Sequence, residues 1–207
     1  MTVTQLIIAA FRVAASRCPE LHKTWISISV RVGGLLPNSL LIASVQRTGE
    51  LDMVLRCVED DYSPPQEGAG EADLFSCHYQ KMLSELWVSD IYEIFRLLTT
   101  ERKLALDSDV LALARDLKLL RIPLEKHEIA DDKKLPGPLL MQRHPPNNDE
   151  TDSYHYSHSD AQKAHIMPSG ISSRGSVMWN VIDVKSKSSY WLERRALSER
   201  IVALWGP

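Results

Sequence analysis

The sequence predicts a mainly α-helical fold: a helical bundle built around a long antiparallel helix pair at about 78–101 and 108–132. Three observations lead there. Between His78 and Glu101, Tyr79, Met82, Leu83, Leu86, Ile91, Ile94, Phe95 and Leu98 share one broad face, with Lys81, Glu85, Ser89 and Arg96 toward the other. From Ser108 onward, Val110, Leu113, Ala114, Leu117, Leu120 and Leu124 repeat at helical spacing. The polar link between these runs is short, which makes consecutive helices antiparallel neighbours. Composition agrees, since 207 residues, 44% apolar and 25% charged, suffice for a single domain, 1–207, with its own core.

Taken in chain order, residues 4–16 carry Leu6, Ile7, Ala10, Phe11 and Ala14 around most of a helical wheel, and Cys18-Pro19 ends that packed helix. The stretch 24–32 alternates: Ile26, Ile28, Val30 and Val32 against Ser27, Ser29 and Arg31. That is strand periodicity closed by Gly33-Gly34, although so short a run also suits a helix. Residues 37–61 suit either helix or strand, a helix with a break near Gly49 being the preferred reading, and 62–73, rich in proline, glycine and acids, reads as a loop. Ser108 is the expected N-cap of the second long helix, with Asp109 in its first turn. The segment 136–175 is polar and proline-rich, hence irregular or mobile. After it, 176–207 reads as a strand (176–185), which with 24–32 would form a small β element. A C-terminal helix then packs on the bundle through Trp191, Leu197, Ile201, Leu204 and Trp205.

Charge and motifs exclude several function classes. A net charge of -3 and a pI near 6.2 argue against a broad basic coat for nucleic acid, but leave room for a local basic patch. Cys18, Cys57 and Cys77 are odd in number, with no C-x-x-C pair, which reads as reduced thiols of a cytoplasmic protein rather than a disulfide or zinc framework. No signal peptide or transmembrane run is expected, and so no membrane partner. Neither a nucleotide-cradling glycine motif nor a G-x-S-x-G element is present. His155, His158 and His165, with His144 and Asp152 nearby, include a His-x-x-His spacing, but in a polar segment that fixes no ligand directions. A flexible loop is the preferred reading, so neither a metal nor any other cofactor is assigned.

One stretch carries sharper chemistry. Arg121 sits on the rim of the apolar stripe, Pro123 follows, and His127 comes six residues after the arginine. Pro123 cannot donate its amide to the preceding turn, so the helix either kinks there or stops and restarts. An arginine and a histidine together suffice for metal-independent RNA cleavage, in which a 2′-hydroxyl attacks the adjacent phosphate. Histidine titrates near neutrality and can move the proton. Arginine offers a planar, permanently charged fork to the phosphate oxygens.

The helix pair with "RIPLEKH" (121–127) resembles the HEPN superfamily of helical-bundle ribonucleases, whose signature is Arg, four to six variable residues, then His. The resemblance covers roughly 78–135 and implies Arg121 on the phosphate and His127 in proton transfer. An acidic residue would orient one of them: Asp116 on the same helix, or Glu93 (or Glu85) from the partner helix. It implies a homodimer in which two motifs face each other over an RNA substrate, and a toxin or defence role with a cognate antitoxin as partner. Lys126, Arg194 and Arg195 are the expected RNA phosphate contacts. The alternative is a non-catalytic helical protein that binds another protein or a nucleic acid.

Overall fold

The computed structural model describes residues 2–37, 39–62, 71–102, 104, 106–142 and 153–206, with the backbone alone for 71–76. Its described residues form six α-helices and five short strands. Helix α1 (Val3–Arg17) opens with a capping box: Thr2 Oγ1 accepts the Gln5 N–H at 3.2 Å, and Gln5 Oε1 accepts the Thr2 N–H at 2.8 Å. Pro19 starts α2 (Pro19–Leu35) at a position where its missing N–H costs nothing. Helix α3 (Leu41–Asp60) lies against both. Helix α4 (Glu71–Arg96) continues into a π-helical turn, Leu97–Glu101, and α5 (Ser108–Lys126) follows.

Three sequence expectations about these helices are corrected. The stretch 24–32 is helix, not strand: Trp25, Ile28 and Val32 are buried at helical spacing, while Ile26 and Val30, half of the alternating set, are exposed. There is also no break at Gly49. An added Cβ there would come within 2.5 Å of the Trp25 ring, so this glycine lets α2 and α3 approach closely. Asp107 rather than Ser108 caps α5, its carboxylate accepting the Asp109 N–H at 2.8 Å.

Where α4 and α5 touch, Ser89 meets Glu125 and Glu93 meets Arg121, so their directions are opposed there. The buried side of α4 runs through Gln80, Ser84 and Trp87; Tyr79, Met82 and Leu86, expected on that face, are exposed. Helix α1 likewise buries only Ala14 and leaves Leu6, Ile7 and Phe11 at the surface, contrary to the packed helix expected.

The β structure comes from the C-terminal third. Strands β1 (Leu139–Gln142) and β2 (Ser153–Tyr156) pair antiparallel. Strands β3 (Ser169–Ile171), β4 (Val177–Asp183) and β5 (Ser188–Glu193) form a second antiparallel sheet in that order. Three of these strands lie in 136–175, expected to be irregular; 143–152 lies outside the described residues, as does 63–70 of the expected loop, and 71–73 is already helical. Strand β4 matches its prediction, burying Val177, Trp179, Val181 and Asp183 on alternate positions. Residues 188–193, expected to begin the last helix, are β5, and α6 (Arg194–Trp205) starts directly after it. Trp191 is exposed there, whereas Trp205 stacks on Phe95 with ring centroids 5.0 Å apart. One main core cluster joins α2, α3, α4, α5, β4 and α6.

Inside that core lies an ionic cluster. Arg194, at 0% exposure, donates to both Glu59 carboxylate oxygens, at 2.8 and 2.6 Å, and to Asp52. Its guanidinium carbon lies 5.4 Å from the Trp87 ring centre. Asp52 also accepts the Trp25 indole N–H at 2.9 Å and an Arg56 N–H at 3.4 Å. Ser176 donates to Glu59 at 2.6 Å, and Gln80 donates to the carbonyl of Gly175. Gly175, at φ +74°, turns the chain there in the left-handed region, and a Cβ on it would strike the Glu59 carbonyl at 2.5 Å. Burial alone would raise the Asp52 pKa, but Arg194 and Arg56 outweigh it and hold the carboxyl below its ordinary range. The stabilisation tied to that shift is full above the ordinary carboxylate pKa of about 4 and is lost as pH falls through the lower folded value.

Removing Arg194 strands two buried carboxylates. Arg194→Met is expected to cost about 3–5 kcal/mol at neutral pH by urea denaturation, with the deficit narrowing in acid as the stranded Asp52 takes up a proton. A loss under about 1 kcal/mol would show that the pairs are not carrying the fold.

Candidate functional site

The Arg-His stretch occupies the C-terminal end of α5. The helix runs through Pro123 to Lys126 without stopping, so the stop-and-restart alternative does not hold. Arg121 is 20% exposed and lies over the Tyr92 ring at 5.5 Å. Its guanidinium reaches Glu125 at 2.5 Å and Glu93 of α4 at 3.6 Å. Glu93 in turn accepts from Arg96 at 2.7 Å, and Glu125 from the Ser89 hydroxyl at 2.7 Å. Arg121 therefore sits in an alternating row of charges along the α4–α5 seam.

His127 is the exposed C-cap of α5, in the left-handed region at φ 55°, ψ 35°. Its N–H closes on the Pro123 carbonyl at 3.0 Å, and its own carbonyl accepts the His165 N–H at 2.7 Å. Glycine is the usual residue at such a helix end, because a Cβ is strained there. Lys126, in the last turn, is exposed.

The two proposed acids part company. Glu93 meets Arg121. Asp116 lies five residues before Arg121 on the same helix, which puts the two side chains roughly 140° apart. It accepts from Tyr190 at 3.0 Å and Arg200 at 2.6 Å, so it tethers α5 to β5 and α6. Burial and the Asp116 charge push the Tyr190 phenol up to about 12. Glu85 has Lys81 and His78 as its charged neighbours.

The C-terminal arginines are not phosphate contacts as they stand. Arg194 is sealed in the core against Asp52 and Glu59. Arg195 is held by Asp60 at 2.6 Å, with Glu199 at 3.6 Å. Neither commitment shows in the local sequence, where a charged run on a helix reads as a solvated face.

Behind His127 stands a second polar unit that sequence reasoning missed. Tyr156 donates to Asp132 at 2.9 Å and accepts the Ile129 N–H at 3.0 Å. Lys163 reaches Asp132 at 2.6 Å and Glu128 at 3.5 Å. Burial raises the Asp132 pKa, but the Lys163 and Tyr156 hydrogen bonds outweigh it and hold the carboxyl down. In front of this unit opens a cleft of about 430 Å³, lined by Gln142, Tyr154, His155 and Lys163 among others. A neighbouring hollow of about 370 Å³ is lined by Gln142, His165 and Asn180 among others. His155 and His158 are exposed, His165 is buried, and no group of three His, Cys, Asp or Glu side chains among the described residues is arranged to hold a metal. His144 and Asp152 lie outside the described residues.

No family model, curated protein or solved structure matches the chain. The site is therefore read from its own residues. Among the described residues no helix is long and apolar enough to cross a membrane.

His165 gives the region a pH signature. Both ring nitrogens are buried without a partner, the ring stands edge-on to Tyr156 at 6.4 Å, and burial drives its pKa down to about 4. The folded state thus refuses a proton that the unfolded chain accepts near pH 6.5, so stability is full above 6.5 and falls as pH drops toward 4. Urea unfolding at pH 7 and pH 5 should differ by about 2 kcal/mol more for the wild type than for His165→Leu. Equal pH dependence in the two proteins would remove His165 as the source.

Proposed function

We propose that the end of α5 is half of a metal-independent endoribonuclease site of HEPN type, completed by a second copy of the chain. The observation that carries this reading is the Glu93–Arg121 pair on the α4–α5 seam, with an exposed histidine six residues further on, kept at a helix end that favours glycine. Arg121 binds the scissile phosphate. Its present pairs with Glu125 and Glu93 are partly exposed and cost little to exchange for a phosphate oxygen. Glu93 keeps the guanidinium oriented from the side away from the substrate. The His127 imidazole takes the proton from the 2′-hydroxyl as it attacks phosphorus, or gives one to the departing 5′-oxygen. Two half-sites facing each other supply one histidine for each task. Lys126 adds positive charge beside the phosphate path. Asp116 has no part in this chemistry and acts as a tether.

The same resemblance makes the protein a cytoplasmic toxin or defence component with a cognate antitoxin as its protein partner. A second reading, a non-catalytic interaction protein, has one observation in its favour: the exposed apolar side chains of α1, among them Leu6, Ile7 and Phe11.

Cleavage assays on wild type, Arg121→Ala and His127→Ala separate the two readings. The account expects losses on the order of 10²–10⁴-fold in both variants. His127→Gly should lose cleavage equally while gaining about 1 kcal/mol of stability, because glycine relieves the left-handed strain. A His127→Gly protein that still cleaves RNA, or three equally inactive proteins, rejects the nuclease and leaves the interaction reading.

A further inference from the structure

Cys18 and Cys57 stand 39 positions apart in sequence, yet the fold brings them to one small apolar cluster. Cys18 is the single residue between α1 and α2, ending one helix and preceding the other at φ −122°, ψ 51°. Cys57 is buried on α3 in a small apolar cluster with Ala14 and Met53, against which Cys18 packs. Next to them Arg17 grips both carboxylate oxygens of Asp61 at 2.9 Å, clamping the end of α1 to the end of α3. This pair and the Ala14–Met53–Cys57 cluster hold the start of α2, with Cys18, against the end of α3. Cys77, the third free thiol, lies on α4, outside that cluster.

We propose that Cys18 and Cys57 are a redox-modification site, a dithiol that closes to a reversible disulfide when a peroxide reaches it. Cys18, half-buried, is the thiol the oxidant meets first; Cys57 is buried behind it. The Cys18 thiolate attacks one peroxide oxygen, the O–O bond breaks, and Cys18 becomes a sulfenic acid with release of one water. The Cys57 sulfur then attacks the Cys18 sulfur. The S–S bond forms, the S–O bond breaks, and the hydroxyl leaves with the Cys57 proton as a second water. Two thiols give up two electrons and two protons, and one hydrogen peroxide becomes two waters. Burial and the neighbouring Cys18 push the Cys57 thiol up to about 11, against the opposing pull of the Arg17 charge. Cys57 is thus the protonated resolving partner and not the first nucleophile.

The consequence falls on α1. This helix buries one side chain, Ala14, so a covalent bond at its C-terminal end fixes an element that is otherwise held by a small cluster and one surface ion pair.

The test uses the full reduced chain. It is treated with hydrogen peroxide under native conditions, quenched in acid, denatured, alkylated and digested for mass spectrometry. The expected result is a fall from three alkylated cysteines to one, with a peptide linked through Cys18 and Cys57 that dithiothreitol releases. Cys77→Ser should keep the link, and Cys18→Ser should lose it. Three thiols still alkylated, a link through Cys77, or Cys18 carried on to sulfinic acid with Cys57 free would each overturn the proposal. None of these readouts depends on RNA cleavage.

Discussion

Arg194 is the constraint on which the rest of the structure depends. A guanidinium with no exposed surface must have its donors satisfied inside the protein, and it takes them from Asp52 and Glu59 of α3. Those carboxylates recruit further groups: the Trp25 indole from α2, Arg56 from α3, and Ser176 from the turn before β4. Gly175 in that turn receives Gln80 from α4. Helices α2, α3, α4 and α6 and the β4 approach are thereby fixed in one relation. Burying such ions is expensive, and an apolar replacement of equal volume often matches it in stability. What the cluster supplies is register: α6 sits against α3 where Arg194 reaches Asp52 and Glu59 together.

From that register follows the orientation of α5. Helix α6 brings Arg200 to Asp116, β5 brings Tyr190 to the same carboxylate, and Asp183 of β4 pairs with Arg115. One side of α5 is thus tied to the sheet and the last helix. The remaining side meets α4, which is why Arg121 faces Glu93 and Tyr92 and why the end of the helix, with His127, stays open. The Tyr156–Asp132–Lys163 unit backs that end, and the His165 N–H holds the His127 carbonyl in place.

Elements whose signal is local were legible in the sequence. Helix α1 ends where Cys18-Pro19 predicts, α5 follows its apolar spacing, and β4 is the strand read at 176–185. The failures share a cause. At 24–32 two exposed isoleucine and valine side chains completed a false strand pattern, because period alone cannot tell a surface apolar residue from a core one. Arg194 looked like part of a solvated helix face because its partners, Asp52 and Glu59, lie 142 and 135 positions away in the chain. Of the candidate site, the Arg121–His127 spacing was visible. Which acid accompanies it was not, since choosing Glu93 over Asp116 depends on how α5 is rotated, and that rotation is set by long-range pairs.

The central chemical claim is transesterification at a 2′-hydroxyl without a metal. It is tested most directly with an RNA carrying a single 2′-deoxy substitution at its cleavage position, assayed with chelator beside the unmodified strand. The account predicts cleavage of the unmodified strand to a 2′,3′-cyclic phosphate and a 5′-hydroxyl, and an intact deoxy strand. Cutting at the deoxy position, chelator-sensitive activity or no cleavage of either strand would contradict it.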